Sequence, residues 1–198
     1  MFVQVMEGRV RDASAFRRAA ERWNAEIRPG AVGFLGGVGG VGEDNRFVVM
    51  ARFADEAAAQ ANSDRPEQAA WFEGFKPCLD GEPTFKESSD VDLLFEGGSE
   101  GAHFVQVMEG RANDRQKAEA MESPEMLEQL HQVRPDLLGG VRMWLPGDEF
   151  VDVAYFTSEA EARENESKAE FQEGGEQFAD AFGEMTYINL KEPILTGA

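Results

Sequence analysis

The sequence predicts an α+β fold made of two ferredoxin-like repeats, each with the element order β-α-β-β-α-β. The main observation is an internal repeat, because Phe2–Arg9 and Phe104–Arg111 both read FVQVMEGR. Shorter identities continue downstream, and a period of about a hundred residues fits a small domain rather than a solenoid repeat. We therefore expect a first repeat over residues 1–96, a glycine-rich linker over 97–102 and a second repeat over 103–198.

In the first repeat, strand-like runs alternate with helical stripes. Apolar side chains at helical spacing follow Asp12 and Ser14, either of which can cap the first helix, and Pro29 ends it. Pro66 predicts a kink or break in the second helix. The predicted elements, in order, are a strand over 2–6, a helix over 13–27, a hairpin of strands 32–38 and 46–53, a helix over 55–75 and an extended segment over 84–95.

The second repeat has the same order of elements. Ser123 and Pro124 form a cap and a first-turn proline that divide its first helical region into two pieces. Ser158 and Glu161 form a capping box at the start of its second helix. The predicted elements are a strand over 104–108, a helical region over 115–133, a hairpin of strands 137–145 and 150–156, a helix from 158 and a strand over 185–190.

Each repeat thus predicts a four-stranded antiparallel sheet with two helices on one face. In the first strand, Val3 and Val5 point to one face of the sheet while Gln4 points to the other. Apart from Gln4, the side chains on both faces of this strand are largely apolar. We therefore expect the helix-free faces of the two sheets to pack together as an intramolecular pseudo-dimeric α+β barrel. Gln4 and its counterpart Gln106 are expected on those helix-free faces.

Composition limits the classes of partner. The 198 residues carry a net charge of −19, which repels phosphate backbones and anionic lipids, so we expect neither nucleic-acid nor membrane partners. A single cysteine, Cys78, excludes an internal disulfide and suits a reducing compartment. The N-terminal residues have no apolar run of signal-peptide length, and we therefore predict a cytoplasmic protein.

The first strands, 2–8 and 104–110, and the third strands that lead into the second helices, 47–57 and 150–160, resemble the dimeric α+β barrel superfamily. The chain resembles in particular a tandem duplication of the antibiotic-biosynthesis-monooxygenase-like (ABM) domain. The resemblance implies a fold shared by cofactor-free oxygenases of polyketide quinones, quinol monooxygenases, haem-degrading enzymes, isomerases and proteins without known activity. The fold alone does not select among these reactions.

The residues at the haem-binding positions of the family differ in this chain. Haem-degrading relatives place an asparagine on the first strand, a tryptophan in the second helix and an axial histidine further along that helix. Because iron needs an axial donor, we expect no haem and no other cofactor. The corresponding residues here are Gln4, Ala61 and Trp71 in the first repeat, and Gln106, Glu164 and Gly174 in the second.

Two further motifs indicate neither nucleotide nor metal binding. Residues 37–42 satisfy G-x-G-x-x-G, but a strand follows them instead of the helix whose N-terminus would hold a pyrophosphate, so we interpret them as a hairpin. The two histidines, His103 and His131, are far apart in the sequence, and we expect no metal site.

The candidate catalytic residues are Gln4, Gln106, Arg52 and His131. Each has a structural alternative: a buried amide can bond a neighbouring strand, Arg52 can form a surface ion pair, and His131 suits a helix end. The candidate pocket-lining residues are Trp23, Trp71, Trp144, Tyr155, Asn62 and Asn165. Ordinary core packing is the alternative for the aromatic residues, and a matching local hydrogen bond in both repeats is the alternative for the asparagines.

Two hypotheses of function follow. The first is a monooxygenase-like enzyme that oxidises an aromatic or quinone-type small molecule in an apolar barrel pocket, without a cofactor. The second is a non-catalytic tandem protein that binds a small apolar or aromatic ligand or has only a structural role. Both are compatible with a further homodimer.

Overall fold

A computed structural model describes residues 1–95, 97–168 and 175–197. The chain forms two compact units, each with a five-stranded antiparallel sheet. The first unit comprises Met1–Val91 together with Glu192–Ala198, and the second comprises Asp92–Lys191. The units therefore divide the chain at places other than the ends of the repeats, because the last residues of the second repeat belong to the first unit.

The sheet of the first unit has the strand order β10-β2-β3-β1-β4. Its strands are β1 Phe2–Arg9, β2 Phe34–Val41, β3 Arg46–Phe53, β4 Thr84–Ser88 and β10 Ile194–Thr196. Its helices are α1 Ala13–Arg22, α2 Glu56–Ser63 and α3 Pro66–Phe75, with a π-helical turn over Trp23–Ile27 and 3₁₀ turns over Arg28–Gly30 and Lys76–Cys78.

The sheet of the second unit has the strand order β5-β7-β8-β6-β9. Its strands are β5 Val91–Leu94, β6 Phe104–Arg111, β7 Leu137–Leu145, β8 Glu149–Phe156 and β9 Met185–Lys191. Its helices are α4 Arg115–Ala120, α5 Pro124–Val133, α6 Glu159–Glu166 and α7 Gly175–Phe182.

The predicted helix starts and breaks are confirmed. The carboxylate of Asp12, not Ser14, caps α1 by accepting a hydrogen bond from the Ala15 amide at 2.8 Å. Pro66 is the first residue of α3, so the expected kinked helix is two helices. Ser123 and Ser158 cap α5 and α6 as the capping signals predicted.

The predicted four-stranded sheets are wrong in number, because each sheet has a fifth strand. The extended segment 84–95 divides into β4 and β5, which pair in different sheets, and the three-residue strand β10 follows β9. The fifth strand of each sheet is thus the segment that follows the fourth strand of the other repeat. The local sequence pattern predicts an extended segment, but it does not tell which sheet this segment joins.

The predicted orientation of Gln4 and Gln106 is also wrong. Met6, two residues from Gln4, packs with Phe16 of α1 and Phe75 of α3, so this set of alternating side chains faces the helices. Gln106 lies between residues that pack against α5 and α6 in the same way. Since both faces of the strand are apolar, alternation separates the two faces without telling which one the helices cover.

Candidate functional site

A cavity of about 420 Å³ lies between the sheet and the helices of the first unit. Its floor contains one row of directly paired residues that crosses all five strands. This row is made of Phe85 on β4, Met6 on β1, Val49 on β3, Gly39 on β2 and Ile194 on β10. We call these five residues the floor row, and its residues are either apolar or glycine.

A second row of paired residues adds polar groups to the floor. Gln4 pairs with Ala51, which pairs with Gly37, which pairs with Thr196. All four line the cavity. On the other side of Gln4, its amide Nε2 donates a hydrogen bond to Glu87 Oε2 at 3.2 Å. The repeat sequence FVQVMEGR thus supplies one polar and one apolar residue, Gln4 and Met6, to the same floor.

Aromatic side chains from α1 and α3 form the opposite wall. Trp71 stacks on Phe75 with ring centroids 5.1 Å apart and an interplanar angle of 13°. The indole Nε1 of Trp71 donates to the carbonyl oxygen of Ala19 at 2.8 Å, which ties α3 to α1 and fixes the ring. Phe16 completes this group at 5.6 Å from Phe75. The Trp71–Phe75 part of the wall is therefore flat and apolar, with the Trp71 ring held in one orientation, while the Phe16 ring is tilted by 59° to that of Phe75.

The π-helical turn brings polar groups to one end of the cavity. Trp23 and Asn24 lie in this turn, where the wider backbone spiral reorients side chains relative to a regular helix. Trp23 Nε1 donates to Gln68 Oε1 at 2.8 Å, and Thr196 Oγ1 donates to Asn24 Oδ1 at 2.7 Å. Both amide oxygens are therefore engaged, which leaves the amide nitrogens of Gln68 and Asn24 as the donor ends of these side chains.

Exposed side chains mark the mouth of the cavity. Phe85 is 63% exposed and its ring lies 6.1 Å from that of Phe72. Glu73 also lines the cavity, is exposed, and accepts a hydrogen bond from Lys76 Nζ at 2.6 Å. The cavity therefore opens between β4 and α3.

Four of the candidate residues of the first repeat line this cavity, namely Gln4, Trp23, Trp71 and Asn62. Asn62 is buried and its Oδ1 accepts from Arg65 Nη1 at 3.1 Å. Arg52 does not line the cavity, because it pairs with Val3 and shares the helix-free face with it. Its guanidinium donates to the carbonyl oxygen of Leu35 at 3.3 Å. Strand alternation thus separates Arg52 from Gln4.

The candidate residues of the second repeat are dispersed. Gln106 is buried and donates to Asn189 Oδ1 at 2.9 Å. Trp144 is buried and donates to Asp92 Oδ2 at 2.6 Å. Tyr155 is buried and pairs with Val105 on the face away from the helices, and His131 is an exposed residue of α5 whose ring contacts Phe95.

The sequence predicts that Asn62 and Asn165 make the same local hydrogen bond in both repeats, and the structure shows this only in part. The Oδ1 of Asn165 accepts from Lys168 Nζ, which corresponds to the bond between Asn62 and Arg65 three residues further on. The Nδ2 of Asn165 also donates to the buried carboxylate of Asp136 at 2.6 Å. Asp136 forms an ion pair with Arg134 at 2.8 Å, so in the second unit the asparagine belongs to a buried polar network.

In the second unit, two paired strand residues at positions equivalent to the floor row, Arg142 and Asp152, are charged, and Glu122 from the segment between α4 and α5 contacts Arg142. Arg142 forms an ion pair with Asp152 at 2.7 Å and a second one with Glu122. Burial, opposed in part by Arg142 and reinforced by the nearby carboxylates of Asp152 and Asp92, raises the pKa of Glu122 to about 7. We call Glu122, Arg142 and Asp152 the charged cluster.

An aromatic residue lies at the expected haem-histidine position of the first repeat. This residue, Trp71, is stacked on Phe75. Gly174, at the expected position of the second repeat, lies outside the described residues. Within the described ranges, no three histidine, cysteine or acidic side chains are gathered as metal ligands. Of the helices that the structure describes, none has both the length and the apolar character to cross a membrane.

The polar cavity residues that sequence reasoning missed include Asn24, Gln68 and Thr196. Asn24 lies in a π-helical turn that no periodicity announces, and Thr196 lies in a strand of only three residues. Gln68 is the exception, because it occurs in a predicted helix three residues before Trp71 and therefore on the same helical face.

Comparison with known proteins identifies the fold but no close relative. No family model matches the sequence, and no curated protein matches it. A putative monooxygenase from Lactobacillus acidophilus is 11% identical, with a TM-score of 0.75 over 99% of this chain and 95% of that chain. A putative monooxygenase from Fusobacterium nucleatum is 10% identical, with a TM-score of 0.77 over 99% and 94% of the two chains.

An anthrone oxidase-like protein is 10% identical, with a TM-score of 0.63 over 100% of this chain and 94% of that chain. At these identities the likeness concerns the fold alone. The α+β architecture that the sequence predicted is confirmed over nearly the whole length. The chain therefore shares its fold with these three proteins over nearly its whole length.

Proposed function

We propose that the cavity of the first unit binds a flat, largely apolar aromatic molecule of the quinone or hydroquinone class. The observation that carries this proposal is an aromatic-lined space of about 420 Å³ with a few amide groups at one end. Volumes of about 300 to 1,000 Å³ with apolar walls and a small number of polar groups are typical of small-ligand sites. The stacked pair of Trp71 and Phe75 presents a planar surface to such a ligand.

The polar end would orient the ligand. The amide nitrogens of Gln68 and Asn24 can donate hydrogen bonds to a ring carbonyl or phenolate oxygen, because their oxygens already accept from Trp23 and Thr196. Donors placed in an apolar site stabilise a negative oxygen more strongly than water-exposed donors do. The site is therefore suited to hold the anion of an electron-rich phenol or anthrone.

We further propose that the bound anion reacts with dioxygen without a cofactor. For an anthrone, the ring CH₂ is oxidised to C=O while one oxygen atom of O₂ enters the product and the other leaves as water, so that atoms and electrons balance. The first proton passes to solvent at the mouth, where Glu73 is exposed. The fold that this chain shares with monooxygenase-like proteins is consistent with this chemistry.

Oxygen uptake with anthrone tests the catalytic proposal, and fluorescence titration with 2-naphthol tests binding. We expect Gln68→Leu and Asn24→Leu each to weaken 2-naphthol binding about tenfold, the effect of losing roughly 1.4 kcal/mol of hydrogen bonding. Gln4→Leu should also weaken binding, whereas Gln106→Leu, the same change in the same sequence context of the second repeat, should not. Equal effects of the two last variants would contradict the assignment of the site.

Ligand binding without turnover is the second candidate function. It is favoured by the polar groups of the cavity wall, which among the described residues are amides and hydroxyls with a single exposed carboxylate, Glu73. This set can bind and orient a ligand, but it contains no buried general base. Stoichiometric binding of 2-naphthol with no oxygen uptake on anthrone would select this function over oxidation.

A further inference from the structure

The two repeats differ in charge at two positions of the floor row. Met108 corresponds to Met6 in the repeated sequence FVQVMEGR, and it pairs with Asp152, which pairs with Arg142. In the first unit, Met6 pairs with Val49, which pairs with Gly39. An apolar side chain and a glycine in one unit are therefore replaced by an ion pair in the other.

The guanidinium of Arg142 occupies the space between its sheet and helix α7. It lies 4.5 Å from the centre of the Phe182 ring, 5.6 Å from that of Trp144, and in contact with the carboxylates of Asp152 and Glu122. The Arg142 side chain is only 9% exposed. The arginine thus covers the floor of the second unit at the level where the first unit has open volume.

The first unit has no side chain at the equivalent position. A methyl group added at Gly39 would already lie 3.3 Å from Val49 Cγ2 and 3.9 Å from Phe16 Cζ, on the cavity side of the sheet. An arginine here would extend across the cavity toward Phe16. The presence of glycine at 39 and arginine at 142 therefore decides how much free volume each floor has.

We propose that the second repeat holds a closed counterpart of the cavity, and that the charged cluster keeps it shut. Replacing Arg142 and Asp152 with the residues of the first repeat, and neutralising Glu122, would open a second site for the same class of apolar aromatic ligand. This inference rests on the proposed function, because it assumes that the cavity of the first unit is a binding site.

The three residues of the charged cluster must be replaced together. A buried ion pair that loses one partner leaves an uncompensated charge, whereas replacing both partners by apolar residues is often tolerated. Glu122 is 18% exposed on its side chain and contacts Arg142, so it has to be neutralised together with the pair. The opening variant is therefore Arg142→Gly, Asp152→Val and Glu122→Gln in one chain.

Counting 2-naphthol molecules bound per chain by equilibrium dialysis tests the proposal. We expect one for the wild type, two for the opening variant and none for the reciprocal variant Gly39→Arg, Val49→Asp. A matched control is Arg111→Gly, Glu149→Val, which removes an exposed ion pair of the same sheet and should leave the count at one.

The outcomes separate the two proposals. No binding by the wild type would contradict the proposed function. One molecule per chain in both the wild type and a folded opening variant, with folding verified by cooperative thermal unfolding, would overturn the inference of a closed second site. If the opening variant does not fold, the reciprocal variant decides, because a folded Gly39→Arg, Val49→Asp protein that still binds one molecule would show that these positions do not close a cavity.

Discussion

At the scale of single residues, Gly37 shows how tightly the floor of the cavity is built. A Cβ at this position would lie 2.6 Å from the carbonyl oxygen of Met50 on the neighbouring strand, which is too close for any side chain. We expect Gly37→Ala to lower the free energy of unfolding by about 1 to 3 kcal/mol, because the strand backbone would have to shift.

Urea unfolding measures this effect, and Gly101→Ala is the control. A Cβ at Gly101 would make only an ordinary contact of 3.6 Å with Ser99 Oγ. Similar losses of stability in the two variants would show that the contact with Met50 is not the cause.

Glu122 gives stability a pH dependence of defined sign. Its pKa is raised from 4.5 to about 7 in the folded protein, mainly by burial. Between these two values the folded state holds a proton that the unfolded state has lost, so the contribution of Glu122 to the free energy of unfolding falls as pH rises through this range. This stabilising contribution of Glu122 is fully present below pH 4.5 and is lost above about pH 7.

We therefore expect wild type to lose up to about 3 kcal/mol of stability relative to Glu122→Gln between pH 4.5 and pH 7. Chemical unfolding of both proteins at intervals across this range measures the difference. The charges that face Glu122 are those of Arg142, Asp152 and Asp92, and all three remain in the variant. A difference that stays constant with pH would contradict the prediction.

At the scale of elements, β10 joins a sheet to which its own repeat does not otherwise belong. It pairs with β2 through three residues, and the segment around it is held by α1 and the turns that follow. Arg17 Nη2 donates to the carbonyl oxygen of Glu192 at 2.6 Å, and Arg28 Nε donates to that of Gly197 at 2.9 Å. Ile194 and Thr196 complete the two rows of the cavity floor.

Deleting residues 192–198 should therefore abolish 2-naphthol binding and lower the stability of the first unit by about 2 kcal/mol or more, since a partly buried isoleucine and its strand pairing are lost. Limited proteolysis with mass spectrometry would localise the effect to the first unit. Adding a synthetic peptide of residues 192–198 should restore binding in part. Unchanged binding by the truncated chain would mean that β10 does not close the cavity.

The elements also show what the sequence could predict. Helix caps at Asp12 and Ser158 and the break at Pro66 depend only on neighbouring residues in the chain. The sequence therefore predicts these features correctly. The prediction of the face on which Gln4 lies is wrong, because valines on one side of β1 and phenylalanine and methionine on the other are equally apolar. The position of β10 was missed because strand pairing with β2 joins residues far apart in sequence, and three residues give no pattern of their own.

At the scale of the whole molecule, the excess of acidic residues acts on stability. The chain has 38 acidic and 19 basic residues, so the folded state concentrates a net charge of −19. Repulsion among these charges opposes the compact state and is screened by salt. We expect the midpoint of thermal unfolding to rise between 10 mM and 500 mM sodium chloride at neutral pH, as measured by circular dichroism.

A fall in the midpoint would instead indicate that attractive ion pairs dominate. The exposed pairs of this chain, such as Arg11 with Asp80, are of the kind that contributes little and is screened by salt. A variant with Glu125→Gln and Glu128→Gln, two exposed residues of α5, should reduce the salt effect without changing the fold.

The exchange of fifth strands has a consequence for biosynthesis. A ribosome completes the first repeat roughly a hundred residues before it adds the strand that finishes the first sheet. At about 5 to 20 residues per second this is a delay of roughly 5 to 20 seconds. During this interval the edge of β2 has no neighbour on its outer side. The sheet whose first strand is made first is therefore also the sheet whose last strand is made last.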